Sequence, residues 1–308
     1  MLSIAAVEQL LARELSWPNA VDVAEIGAGA WSTAFGFRDG ARNLVIRIGE
    51  CGSDFRRDQE MARLTSPALP VPEVLDVGQA PSSSLAEGLH YCVSTRAFGT
   101  PLEACSVEEW LTIVEQVADA LEAMRAWTPR LAAQGATERR VVSWPDQLLL
   151  IERDDLDPRG AGWPAKLAKS ARGKQAFDRG VARLRATDVG DVPLTLVHGD
   201  LINRNVHVEG GSITGIFDWG CQRWGDHLFD LAWFDFWSPW YPNLDIKALR
   251  EALHDRWSKA NHAPHLEADR TRACLVYIGL EHLIYNAVIE RWNDLDDVVD
   301  RMAALDLI

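Results

Sequence analysis

Three side chains in one stretch, Asp200, Asn205 and Asp218, have the types and the spacing that phosphoryl transfer requires. Moving a γ-phosphoryl group asks little covalent chemistry of a protein. One carboxylate orients the attacking hydroxyl and accepts its proton, and oxygen ligands hold Mg²⁺ against the phosphates. His198-x-Asp200-Leu201-x-x-x-Asn205 has the H-x-D-L-x-x-x-N form of a kinase catalytic loop, and Asp218 follows in the same stretch. Asp200 is therefore the candidate base, placed against the substrate hydroxyl. Asn205 and Asp218 are the candidate ligands for Mg²⁺, which takes hard oxygen donors and keeps some of its waters. Singly, each residue has a plainer reading: a turn cap, a turn hydrogen bond, and a strand-end carboxylate paired with Arg223. Order, spacing and strand context together favour the chemical reading. His198 is expected to brace the loop, and Asp226 to cap the helix that begins near His227.

A small sheet has to bring these groups together. Leu194–Val197, Asn205–Val208 and Ser212–Phe217 are short β-prone runs, with Glu209-Gly210-Gly211 as a turn between the last two. Upstream, Val21–Ile26 and Ala34–Arg38 read as strands around Gly27-Ala-Gly29-Ala-Trp-Ser32, a small-residue loop whose N–H groups can lie over phosphates. The next strand, Asn43–Ile48, carries Arg47 where the kinase pattern places a phosphate-binding lysine. A guanidinium keeps that charge and binds phosphate through two N–H donors. A helix over Asp54–Thr65 and strands at Glu73–Val77 and Tyr91–Thr95 complete this half. From residue 107 the chain turns mainly helical, with apolar periodicity over Val107–Ala126, Trp144–Glu152, Gln175–Leu184, His227–Trp237 and Asp269–Arg291. Trp237 and Trp240 flank Pro239 where one helix ends, so their faces are candidates to receive sugar C–H groups and ammonium groups. Asp230, Asp235 and Glu281 are candidate partners for substrate ammonium groups. His282, on the apolar stripe of the last helix, reads as a satisfied core histidine.

HGDLINRN, followed by IFDW and GDHLFDLAWF, resembles the aminoglycoside phosphotransferase family, kinases of small molecules. ALPVPEVLDVG, YCVSTRAFGTPLE, FWSPW and YIGLEHL are similar to the hygromycin B phosphotransferases within it. The resemblance implies an α+β, bilobal, protein-kinase-like fold, with an antiparallel sheet plus helix first and a mainly helical lobe after it. Residues 1–96 would form the nucleotide-binding lobe, and 97–308 the catalytic and substrate-binding lobe with a helical insertion. It further implies ATP or GTP with Mg²⁺ as cofactors. Gly27, Gly29, Ser32 and Arg47 would steady the phosphates, and the backbone of Ser94, Thr95, Arg96 and Ala97 would bind the base. Glu60 would pair with Arg47, with Asp58 as the rival partner.

The composition agrees. A chain of 308 residues with 47% hydrophobic and 25% charged residues buries a sizeable core. Its net charge of −14 argues against nucleic acid, which is held by Lys and Arg on phosphates, and suits a polycationic substrate. Five cysteines share no metal-ligand or disulfide spacing, which implies a reduced, cytoplasmic setting. The first residues read as an amphipathic helix rather than a signal peptide, no run is apolar enough to span a membrane, and a monomer is expected. A kinase of another small alcohol, a macrolide or an amino-alcohol metabolite, would share every catalytic residue. A protein kinase is disfavoured because no Ala-Pro-Glu-like motif follows Asp218, and a non-catalytic nucleotide-binding module because all three polar groups are retained.

Overall fold

The computed structural model describes residues 2–82, 84, 86–129, 142–155 and 158–308. It divides into two compact units, Met1–Ala120 with Asp200–Gln222, and Leu121–Gly199 with Arg223–Ile308. As expected, an antiparallel sheet comes first and a mostly helical part follows.

In the first unit, β1 (Ala20–Ala28), β2 (Ser32–Asp39), β3 (Arg42–Gly49), β4 (Val74–Gln79) and β5 (His90–Thr95) form one sheet in the order β1-β2-β3-β5-β4. Strand alternation decides what each face carries. On β3, Leu44, Ile46 and Ile48 are buried in a core with Phe35, Phe37 and Val93, so Arg47 is turned to the other face. Helix α1 (Ile4–Gln9), extended by a π-turn over Leu10–Glu14, closes that core with Val7, Leu10 and Leu11. Helix α2 (Gly52–Met61) follows β3 and buries Phe55, Asp58 and Met61, a stripe at helical spacing.

A second sheet of this unit joins β6 (Thr100–Pro101) to the hairpin of β8 (Val206–Glu209) and β9 (Ser212–Ile216). Gly210 and Gly211 both have positive φ (59° and 77°), as a tight hairpin turn between right-twisted strands needs. The predicted hairpin is present, and its turn residues explain its register.

The second unit pairs β7 (Thr195–Val197) with β10 (Arg223–Gly225) and is otherwise helical. Helix α3 (Val107–Arg125) leads into it, followed by α4 (Trp144–Leu149), α5 (Trp163–Leu167), α6 (Ala171–Ala186), α7 (Leu228–Trp237), α8 (Ile246–Lys259), α9 (Glu267–Val288) and α10 (Trp292–Ala304). Helix α5 begins at Trp163 after Gly162, which takes φ 80°. Helix α8 was not anticipated, although its signals were present. Asp245 caps it by accepting from the Ala248 N–H at 3.1 Å, and Ile246, Leu249, Leu253 and Trp257 recur on its buried face. The late helix expected over Asp269–Arg291 is α9, which ends at Val288, and α10 begins after Glu290 takes φ 60°. No helix among the described residues is long and apolar enough to cross a membrane.

Candidate active site

Asp200 lies in the loop between β7 and β8. Asn203 and Arg204 both have positive φ there, 66° and 68°. That folds the loop back on itself, so the Asn203 amide donates to Asp200 Oδ1 at 2.6 Å and the Asn205 amide donates to Oδ2 at 3.0 Å. Asn205 also donates to the Asp200 carbonyl at 2.7 Å. The carboxylate is thus oriented from both sides. Burial pushes its pKa well above the usual carboxylate range, the Asn203 and Asn205 amides oppose the shift, and the Asp218 and Glu103 charges add to it. Such a carboxylate is a stronger base when ionised than one in water. Glu103 also accepts from the Arg204 N–H at 2.6 Å, which steadies the loop.

Asn205 has spent its amide N–H₂ on Asp200, so its oxygen is the atom left to face a cation. Asp218 follows β9 with φ 64°, a left-handed turn that carries its carboxylate to 3.1 Å from Arg47 Nη1. Among the described residues there is no cluster of three or more His, Cys, Asp or Glu to cage a metal. An amide oxygen and one carboxylate fit Mg²⁺ that arrives with nucleotide phosphates rather than a resident ion.

Arg47 corrects one expectation. Its guanidinium pairs with Asp58, not Glu60. Asp58 belongs to the buried stripe of α2, whereas Glu60 lies two residues on, about 200° around the helix, and is exposed. Asp58 Oδ1 also accepts the Trp219 N–H at 2.8 Å, so one carboxylate ties β3, α2 and the turn after Asp218 together. We expect Asp58→Asn to raise the nucleotide KM about tenfold, the cost of one charged partner, while Glu60→Gln leaves it unchanged. Steady-state kinetics with nucleotide as the varied substrate checks this, and equal effects would remove Asp58 from its role. The first lysine of the chain is Lys166, and none lies between 200 and 222, so Arg47 stands in a unit without any side-chain amine.

Gly27, the penultimate residue of β1, has nothing within 4 Å of an added Cβ, and the Gly29 N–H donates to the carbonyl of Ser32, which opens β2. Ser94 and Thr95 belong to β5 between β3 and β4, so they do not offer an open edge. The Thr95 N–H donates to the Glu73 carbonyl at 2.9 Å and the Arg96 N–H to the Asn43 carbonyl at 3.0 Å. The expected base-binding backbone is corrected at Thr95 and Arg96 only, whose N–H groups are already taken by sheet partners. The Arg96 guanidinium lies over the Phe98 ring at 4.8 Å. The Ala97 carbonyl faces His207 Nδ1 at 3.3 Å. His207 was not singled out from sequence. Two residues beyond Asn205, it shares that residue's face, and its ring meets Phe217 edge-on at 4.9 Å. Burial lowers its pKa, leaving a neutral ring.

In the second unit, four carboxylates are accounted for by protein groups. Asp230 is wholly buried and accepts the His198 and Gly199 N–H groups at 2.9 and 2.8 Å. Burial outweighs these donors and lifts its pKa to about 6. It holds the two residues that precede Asp200 and is not a substrate-facing acid, which corrects that expectation. Asp226 accepts the Leu228 N–H at 3.0 Å, as a cap should, and forms a bidentate buried pair with Arg270 at 2.8 and 2.7 Å. Glu281 pairs with Arg223 at 3.1 Å, and Asp235 pairs with Arg250. Arg223, proposed from sequence as a partner for Asp218, instead lies over the Phe229 and Tyr277 rings. The ring centres of Trp237 and Trp240 are 5.3 Å apart, and Trp240 is 42% exposed.

Comparison with known proteins follows this geometry. A model of the phosphotransferase enzyme family matches residues 22–267. The chain is 30% identical over 304 residues to the hygromycin-B 4-O-kinase of Escherichia coli, covering 95% of this chain and 82% of that protein. Its fold superposes with TM-score 0.74 and 28% identity on a thermostable mutant of aminoglycoside phosphotransferase APH(4)-Ia in a ternary complex with AMP-PNP and hygromycin B, over 97% of each chain. ADP-bound aminoglycoside phosphotransferase APH(2'')-Ib shares the fold at TM-score 0.65 with 14% identity, over 97% of this chain and 98% of that one.

Proposed function

The chain belongs to the phosphotransferase enzyme family, and from that premise we propose that it is an aminoglycoside O-phosphotransferase that moves the γ-phosphoryl group of Mg-ATP to a hydroxyl of hygromycin B. The observation that carries the reading is the Asp200 carboxylate, clamped by two amides and sharing a unit with the Arg47–Asp218 pair. Asp200 orients the acceptor hydroxyl and takes its proton as the new O–P bond forms, and the nucleoside diphosphate leaves. Asn205 and Asp218 would hold Mg²⁺, which when bound neutralises phosphate charge. Arg47, fixed by Asp58, steadies the phosphates by donating to their oxygens. The hygromycin B named for the Escherichia coli relative and bound in the APH(4)-Ia complex supports the choice of acceptor, and AMP-PNP in that complex supports ATP. The excess of acidic over basic residues is compatible with a cationic substrate.

The neutral ring of His207, on the face that carries Asn205, is in this reading the platform for the nucleobase. The acids Asp235 and Glu281 meet ammonium groups only by sharing them with Arg250 and Arg223. None of the five cysteines is in a disulfide, which is compatible with a reduced cytoplasmic setting. The working unit is a monomer that binds neither nucleic acid nor membrane.

Coupled turnover with Mg-ATP and Mg-GTP against hygromycin B, kanamycin, gentamicin, streptomycin and a macrolide tests the proposal. We expect ATP turnover on hygromycin B that stops on chelation of the metal and returns when Mg²⁺ is restored. Turnover confined to another acceptor would overturn the substrate, and activity that survives chelation would remove the metal from Asn205 and Asp218.

A further inference from the structure

The loop that carries Asp200 holds a conformation that its own residues do not favour. Asn203 and Arg204 follow one another in the left-handed region, at φ 66° and 68°. Asparagine visits that region readily, but the Cβ of an arginine crowds the backbone there. The conformation matters because Asn203 is the residue whose amide reaches Asp200 Oδ1, at 2.6 Å. If Arg204 relaxed to negative φ, the chain direction on either side of it would change and the amide would leave the carboxylate. A hold on Arg204 has to come from outside the loop.

Glu103 supplies it from 101 positions earlier in the chain. Its carboxylate accepts the Arg204 N–H at 2.6 Å, a charge-assisted bond to the backbone of the strained residue. The strand before it fixes where Glu103 stands. β6 runs antiparallel to β8, with Thr100 opposite Val208 and Pro101 opposite His207, so each further residue of this segment moves toward the loop that precedes β8. The close approach starts at Gly99, which has φ 115° and no room for a side chain, since an added Cβ would strike the Val208 carbonyl. Leu102 is then fully buried, and the Cys105 N–H closes a tight turn over Leu102–Ala104 by donating to the Leu102 carbonyl at 3.1 Å. Glu103 therefore stands between a strand contact that only glycine permits and a turn anchored in the core.

We infer that Glu103 is a positioning residue for the base: by keeping Arg204 left-handed it keeps the Asn203 amide on Asp200, and so fixes the direction in which that carboxylate meets the acceptor hydroxyl. The inference rests on the phosphotransfer reading and adds to it a residue outside the catalytic loop that acts through the loop's backbone. Glu103 touches no reacting atom in this role. It contributes an acceptor oxygen rather than a charge, which a glutamine can also offer and an alanine cannot. The need for that oxygen should vanish in Arg204→Gly, because glycine takes positive φ with no Cβ to crowd the backbone. Arg204 is exposed, so the change removes no core packing.

Glu103→Ala, Glu103→Gln, Arg204→Gly and the double variant Glu103→Ala with Arg204→Gly are compared on the full chain by kcat, by KM for acceptor and for ATP, and by Tm. The acceptor is hygromycin B, or whichever aminoglycoside of the panel the wild type turns over fastest. Glu103→Ala is expected to lower kcat about tenfold with both KM values unchanged, the effect of one lost charge-assisted hydrogen bond on the aim of the base. Glu103→Gln should stay within about twofold of wild type. In the Arg204→Gly background the same alanine should cost about twofold or less, which measures the coupling between the hold and the strain it opposes. A Glu103→Gln as slow as Glu103→Ala overturns the inference and gives the role to the charge. An alanine effect of equal size in both backgrounds also overturns it, as does a rise in acceptor KM with kcat unchanged, which would make Glu103 a substrate contact. A lowered Tm with kcat per folded molecule unchanged reduces Glu103 to a stabilising residue and overturns it too. In each of these cases the wild type still phosphorylates, and the phosphotransfer reading stands. A wild type that phosphorylates no aminoglycoside overturns both.

Discussion

Replacing Asp200 with asparagine is expected to lower kcat about 10³-fold while leaving the ATP KM within a factor of two or so, the signature of a lost general base rather than of lost binding. The substitution is nearly isosteric. Its amide oxygen can still accept from Asn203 or Asn205, so the loop keeps its shape, but an amide cannot take the hydroxyl proton. In barrier terms the loss is about 4 kcal/mol. Asn205→Ala provides the contrast. It removes a candidate metal ligand as well as one of the two clamps on Asp200, so kcat should fall and the requirement for Mg²⁺ should rise together. Steady-state kinetics across a Mg²⁺ titration separates the two. A kcat for Asp200→Asn within threefold of wild type would sink the assignment of the base.

Arg270→Met should cause the largest loss of stability. Arg270 and Asp226 are 1% and 0% exposed, and their paired contacts leave neither charge in water. Removing the guanidinium strands a carboxylate in the interior, which costs about 3–5 kcal/mol. For a chain of this size that corresponds to a fall in Tm of about 10 °C. It also removes a donor to the His265 carbonyl, which stands 3.1 Å from Nη1. The double variant Arg270→Met with Asp226→Asn leaves no buried charge and keeps an oxygen to cap α7, so it should recover most of the loss. Calorimetry of the three proteins decides the matter. A single variant within about 1 kcal/mol of wild type, or a double variant no better than the single, would show that the pair is not held dry.

These two sites differ in how far they could be read from residues alone. Asp200, Asn205 and Asp218 are legible because the elements that gather them are local: a loop, a two-glycine turn and two short strands. The partners of the other acids are not local. Asp230 meets backbone more than thirty residues earlier in the chain, and Asp226 meets an arginine more than forty residues later. Nothing in the spacing of either acid shows that its charge is already answered. Each was therefore free to be read as a substrate group or a simple cap. Asp58 is an intermediate case. The spacing Phe55, Asp58, Met61 already placed a carboxylate on the buried stripe of α2, and a buried acid beside a strand arginine is the better partner on energetic grounds alone. His282 lies on the apolar stripe of α9 as its spacing implied, and its Nδ1 meets the Ile278 carbonyl one turn back at 2.8 Å.

The guanidinium of Arg47 also changes how the protein answers chemical reagents. Amine-directed electrophiles react with the neutral form of a lysine side chain, whereas a guanidinium stays protonated and is a poor nucleophile. All five lysines of this chain, Lys166, Lys169, Lys174, Lys247 and Lys259, lie in the second unit. A nucleotide analogue bearing an acylating group would meet no side-chain amine in the unit that holds Arg47 and Asp218. Side-chain amine labelling and lysine acetylation therefore report on the helical unit only, and covalent capture of the unit that holds Arg47 has to use its carboxylates or cysteines.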